Sequence, residues 1–117
     1  MPIDSLDSLR RAVRRIVSLV SARNYAAVEE FTGGQRLSAT DIERVVNEYG
    51  RTIVDAPPCA FELHPFVHVQ NSDPPEWVID FDLWTQEQGR SDLTLTLRLY
   101  EMKDGTVKTE IDDLHTM

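Results

Sequence analysis

Apolar positions in the first half of the chain recur at helical spacing. Leu6, Leu9, Val13, Ile16, Val17 and Val20 make one stripe over about Ser5 to Ala22, because residues three and four apart share a helix face. Arg10, Arg11, Arg14 and Arg15 fall off that stripe. Asp4 or Ser5 can cap the start, and Asp7 suits the positive end of the helix. Asn24 to Thr32 reads as a second, short helix with Tyr25, Val28 and Phe31 on one face and Gly33-Gly34 as its stop. The third helix has the clearest start. Ser38 is the N-cap, Asp41 stands at the third helical position as in a capping box, and Leu37 and Ile42 have the spacing of a hydrophobic staple. Ile42, Val45, Val46 and Tyr49 form its stripe and Gly50 ends it.

After Pro57-Pro58 the period falls to two. Phe61, Leu63, Val67 and Val69 alternate with Glu62, His64, Phe66 and His68, which predicts a strand bulged at Pro65 or lying at an edge, since proline donates no ladder bond. Trp77, Ile79, Phe81 and Leu83 share one face of the next strand, and Leu93, Leu95, Leu97 and Leu99 one face of the strand after. If both sets face one core, paired residue numbers must sum to an even number. A loop Glu87-Gln88-Gly89 meets that condition, sets Leu83 opposite Leu93, and puts Gly89 at the left-handed position of a bulged turn. A loop Lys103-Asp104-Gly105 likewise sets Leu97 opposite Ile111 and Leu99 opposite Thr109.

The same register arranges the opposite face. Asp80 pairs with Thr96, Thr96 with Asp112, Asp82 with Thr94, Trp84 with Asp92, Arg98 with Glu110 and Tyr100 with Lys108. Asp80, Asp82 and Asp112 then surround two threonines, with Asp92 and Asp113 near one end. Trp84 points outward, either packed under a loop or exposed as an interface anchor.

Charge sharpens this picture. Residues 1–51 carry eight Arg against seven Asp or Glu, and residues 52–117 carry four Lys or Arg against thirteen; balances of +1 and −9 make up the net −8. An acidic sheet half repels phosphate and attracts basic proteins, so nucleic acid is not the expected partner. No apolar run approaches the roughly 20 residues of a membrane span, and the MPIDSLDSLRR start lacks the pattern of a signal peptide. The length of 117 residues fits one domain, with a helical half over 1–51 and a sheet half over 52–117. Cys59 is the only cysteine, which excludes an internal disulfide and a multi-cysteine metal site. It is expected as a small, semi-buried side chain at a strand start, and a cytoplasmic location is expected.

Catalytic and metal chemistry find little footing. His64 and His68 on a strand would lie about 13 Å apart, too far to share one ion. Gly33-Gly34 lacks the phosphate-loop pattern, and no serine stands in a nucleophile-elbow context. The acidic face has no calcium-loop spacing. An open face also gives two carboxylates no pocket that would separate their pKa values. No enzyme activity, metal or cofactor is therefore expected.

The segment Trp77 to Leu97, WVIDFDLWTQEQGRSDLTLTL, and the closing EIDDLHTM resemble a family of small uncharacterised bacterial proteins. In size, acidity and class the chain also resembles the immunity proteins of bacterial toxin systems. Its order of helices before an antiparallel sheet is similar to cystatin-like or NTF2-like rolls, which often hold a ligand between helix and sheet.

The expectation is an α+β fold, with two or three N-terminal helices on one face of a four-stranded, mostly antiparallel sheet. The expected function is non-enzymatic binding of a basic protein, a toxin nuclease in an immunity role, through Asp80, Asp82, Asp92, Asp112 and Asp113 with Trp84 as anchor. The alternatives are an NTF2-like small-molecule binder or enzyme with a cavity between helix and sheet, and a subunit that forms a homodimer through an exposed edge or face.

Overall fold

The structure is a computed structural model that describes residues 5–34 and 36–116. Three helices come first: α1 (Ser5–Ser21), α2 (Tyr25–Thr32) and α3 (Ala39–Tyr49). Leu9, Val13, Ile16, Val17 and Val20 of α1 are completely or almost completely buried, as the stripe requires. The expected Asp4 or Ser5 cap lies outside the described side chains. Asn24 caps α2, its side chain accepting from the Ala27 N–H at 3.3 Å, and Gly33 closes it. Phe31 was expected on the apolar face of α2 but is exposed, and Thr32 is buried in that helix instead. Thr32 can be buried because its hydroxyl donates to the Val28 carbonyl at 3.0 Å. The capping box at α3 is complete. The Ser38 hydroxyl accepts from the Asp41 N–H at 3.2 Å, and Asp41 Oδ2 accepts from the Ser38 N–H at 3.0 Å.

The sheet has five strands: β1 (Ile53–Val54), β2 (Val67–His68), β3 (Glu76–Thr85), β4 (Gly89–Glu101) and β5 (Val107–Thr116). The order is β1-β3-β4-β5, all neighbours antiparallel, with β2 also pairing β3 beside β1. Ile79, Phe81, Leu83, Leu93, Leu95, Leu97 and Leu99 form one buried face, and the α1 stripe belongs to the same core. These positions are filled by large side chains at most 1% exposed. Trp77, expected in this core, packs at its margin and donates its indole N–H to Glu101 at 2.6 Å.

The strand expected between Phe61 and Val69 is replaced. Pro58–Glu62 forms a 3-10 turn, and only Val67 and His68 pair as strand. Pro58 suits the first position of such a turn, and Pro65 can offer no ladder N–H. The buried residues here are Ala60, Phe61 and His64. That spacing belongs to a helical turn, while Leu63 and Val67 stay exposed. Cys59 is exposed in the turn rather than semi-buried at a strand start. Phe61 stacks on Phe81 at 5.1 Å between centroids, and His64 tilts against the same ring at 4.8 Å.

The register follows the expectation except at two bulges. Asp80↔Thr96, Asp82↔Thr94, Leu97↔Ile111, Arg98↔Glu110, Leu99↔Thr109 and Tyr100↔Lys108 are all present, and Gly89 and Gly105 have positive φ at the two turns. Near the first turn, however, Trp84 pairs with Arg90 rather than Asp92, because Ser91, Asp92 and Leu93 together stand opposite Leu83. The Ser91 hydroxyl holds this bulge, donating to the Leu83 carbonyl at 2.7 Å and accepting from the Leu93 N–H at 3.2 Å. In β5 the bulge is one residue. Asp112 is the extra member, so Thr96 faces Asp113 rather than Asp112, and Leu114 rather than Asp113 enters the core.

Candidate functional site: the outer face of the sheet

Alternation along β3, β4 and β5 puts their polar side chains on the face away from the core. Glu76, Asp80, Asp82, Glu110, Asp112 and Asp113 outnumber Arg90, Arg98 and Lys108 there. The carboxylates differ in what holds them. Asp82 receives the Arg90 guanidinium at 2.9 and 2.8 Å and the Thr94 hydroxyl at 2.8 Å. Arg98 lies between Glu76 and Asp112, bonding Asp112 Oδ2 at 2.7 Å and Glu76 through Nη1. Arg36, from the segment between α2 and α3, reaches Asp112 Oδ1 at 3.1 Å. These bonds raise the Arg98 pKa above its ordinary value, Asp112 contributing most and Glu76 next. Cations are thus better supplied on this face than charge counting implied.

Asp80 and Asp113 are different. Both are exposed, and the register aligns them in one row, Asp80–Thr96–Asp113, across three strands. Asp80 accepts from the Thr96 hydroxyl at 2.7 Å and has no cation within ion-pair reach among the described residues. Asp113 faces the His115 Nδ1 at 2.9 Å, a pair that carries charge attraction only when the imidazole is protonated. Next to this row runs Asp82–Thr94–His115.

Of the expected site residues, the structure brings Asp80, Asp82, Asp112 and Asp113 onto one face. Asp92 is drawn away. The Tyr49 hydroxyl of α3 donates to its Oδ1 at 2.6 Å, so the bulge is tied to the helical layer. Burial first, and this hydrogen bond second, push the Tyr49 pKa up. Trp84 is half-buried. Its ring lies beside Gly89 and packs against the core margin, while its indole N–H has no acceptor among the described residues. Sequence reasoning missed Arg36, whose approach to Asp112 is tertiary, and Glu76 and Arg98 as a bridging group. The β3–β4 register that pairs Asp80 with Thr96 also sets Val78 opposite Arg98, and could have shown Arg98 one row from Glu76.

The described residues contain no group of three His, Cys, Asp or Glu able to hold a metal ion. His64 and His68 do not share a strand; His64 is buried against Phe81, and His68 is exposed with its ring 4.6 Å from that of Trp77. Among the described residues, no helix is long and apolar enough to cross a membrane.

Residues 17–117, which include the whole sheet and most of the helical layer, match the model of a domain of unknown function, DUF7668. The chain belongs to that family. The DUF7668 match therefore covers every residue of the outer-face site. No curated protein and no solved structure matches the chain.

Proposed function

We propose that this protein is a non-enzymatic binding domain that docks a basic protein on the outer face of its sheet. One observation carries the reading. Asp80 and Asp113, both exposed, stand in a single row with no Lys or Arg paired to either among the described residues. Where the face carries a compensating arginine, the charge is already satisfied. At this row it is left for a partner to satisfy, at little desolvation cost to the free protein. An immunity role, neutralising a basic toxin domain, is the biological form of this reading that suits the charge and the size of the chain. Asp82 and Asp112 would shape the rim of the contact and Trp84 would border it. The rival reading, a ligand cavity between α1 and the sheet, has less support, because large apolar side chains fill that space.

The test is a low-salt pull-down from the source cell with wild-type and D80N/D113N baits side by side. A basic protein captured by the wild type, released by salt and captured several-fold less by the variant is the expected result. Equal capture by both baits would remove the row from the interface, and no salt-sensitive capture by the folded wild type would overturn the reading.

A further inference from the structure

The four arginines of α1 play no part in the outer-face site, and two of them stand beside an apolar groove. Arg36, Arg44, Arg90 and Arg98 each pair with a carboxylate. On α1, Arg10 meets Asp7 at 3.3 Å, and the Arg14 guanidinium lies 5.0 Å from the centre of the Phe61 ring. Arg11 and Arg15 are exposed and have no such partner among the described residues. Arg10 with Arg14, and Arg11 with Arg15, are like charges four residues apart, an arrangement that costs a helix stability.

Arg11 and Arg15 flank a shallow, widely open groove of about 370 Å³. Its apolar lining comes from Ala12, Phe31 and Val107, at the junction of α1, the end of α2 and the β4–β5 turn. Phe31 is 41% exposed, one of the few large apolar side chains left open to solvent. Unpaired guanidinium groups beside an open aromatic ring make a surface with two demands, anions on the rim and an apolar group in the groove.

We propose that this groove docks an acidic polypeptide segment, with an apolar side chain seated on Phe31 and carboxylates paired to Arg11 and Arg15. Charge complementarity selects the rim contacts, and the exposed ring selects a ligand that carries an apolar group beside its anions. A single-stranded nucleic acid could stack a base on the ring, but its dense phosphate charge is repelled by a chain of net charge −8. A carboxylate-bearing segment brings fewer charges and can satisfy both demands. Guanidinium groups favour such contacts because they bind carboxylates through two parallel hydrogen bonds.

The experiment is fluorescence anisotropy on the full chain, with a short labelled peptide rich in Glu and Asp around a central Leu-Phe pair. Three comparison probes are the same peptide with Ser-Ser at its centre, a single-stranded DNA of equal charge, and phosphatidylserine vesicles. Saturable peptide binding is expected to weaken by about tenfold in R11Q/R15Q, since two charge-assisted contacts are lost. It should weaken by about threefold in F31S or with the Ser-Ser peptide, through loss of the apolar anchor. Both R11Q and R15Q alter exposed side chains, and circular dichroism of each variant separates lost binding from lost folding. No saturable binding of the Leu-Phe peptide, equal binding by R11Q/R15Q, or equally tight binding of the DNA or the vesicles would overturn the proposal.

Discussion

Arg98 of β4 donates from its Nε to Asp112 of β5 at 2.7 Å, and the bond sits at the point where β5 bulges. The bond therefore pins the extra residue, Asp112, in place as well as neutralising Arg98. The Arg98 side chain is about one-third exposed and its two carboxylate partners are more deeply covered. Replacing Arg98 with Ala leaves Glu76 without a cation among the described residues and Asp112 with Arg36 alone. A loss of about 1–2 kcal/mol is expected, between the surface and buried ion-pair values. Urea unfolding should show it, and a midpoint equal to wild type would mean that the pairing contributes no net stability.

His64 is predicted to make stability fall on mild acidification. Burial against Phe81 is the main cause that lowers its pKa, outweighing Asp82, which raises it; Arg90 lowers and Asp80 raises it further down the order. Its Nε2 has no hydrogen-bond partner among the described residues. The folded pKa thus lies below the ordinary 6.5. Between the two values the unfolded chain binds more protons, so the stability gained is complete above pH 6.5 and shrinks as the pH falls below it. Thermal melts from neutral to mildly acidic pH should show this slope, and it should flatten in H64F. A wild-type melting temperature independent of pH over that range would contradict the assignment.

Ser38→Ala is expected to cost about 1 kcal/mol, the usual worth of an N-cap. The Asp41 carboxyl sits below its ordinary 3.8, first through the Ser38 N–H and then through the Ser38 hydroxyl. Its contribution is present above pH 3.8 and is lost as the pH falls through the lowered value. A double-mutant cycle of S38A and D41A should therefore show coupling at neutral pH. Strict additivity would indicate that the two halves of the box act independently.

Ser91 should be the most sensitive polar position of the sheet. It is buried, and its hydroxyl serves both the Leu83 carbonyl and the Leu93 N–H. Ser91→Ala removes both of these bonds at a buried site, so a loss of about 2–3 kcal/mol is expected in denaturant unfolding. A loss below about 0.5 kcal/mol would mean that the bulge relaxes into solvent.

Much of this fold was readable because its signals are local. Ser38 and Asp41 announced a helix start through chemistry that operates within one turn, and the β4–β5 register around Leu97 and Ile111 followed from parity and the Asp104-Gly105 turn. The bulges were silent for opposite reasons. Placing Ser91, Asp92 and Leu93 opposite one residue adds two positions, so the inward and outward alternation survives and leaves no trace in the pattern. The single extra residue at Asp112 does leave one, since Ile111 and Leu114 are both buried three apart, where a regular strand would bury Asp113. Around Phe61 the pattern misled, because alternating residue types can hide the helical spacing of Ala60, Phe61 and His64 between two proline-bearing stretches. At the site, parity alone brought Asp80 and Asp82 together. The removal of Asp92 by Tyr49 and the approach of Arg36 to Asp112 depend on how the helices pack, which no short window of sequence contains.

The two short strands on one side of β3 bear on how the protein keeps to itself in a crowded cell. Among the described residues, β1 pairs with Trp84 and Thr85 alone, and β2 with Trp77 and Val78 alone. The chain between them places Phe61 and His64 on Phe81. An invading strand from a neighbouring or partly unfolded copy finds two-residue stubs there, with a proline close by, in place of a long open ladder. The opposite margin, β5, is long but carries Lys108, Glu110, Asp112 and Asp113. Stacking copies edge to edge would crowd like charges together along it. Interruption guards one border and charge the other, so growth into fibrils is discouraged on both sides while the broad outer face stays open.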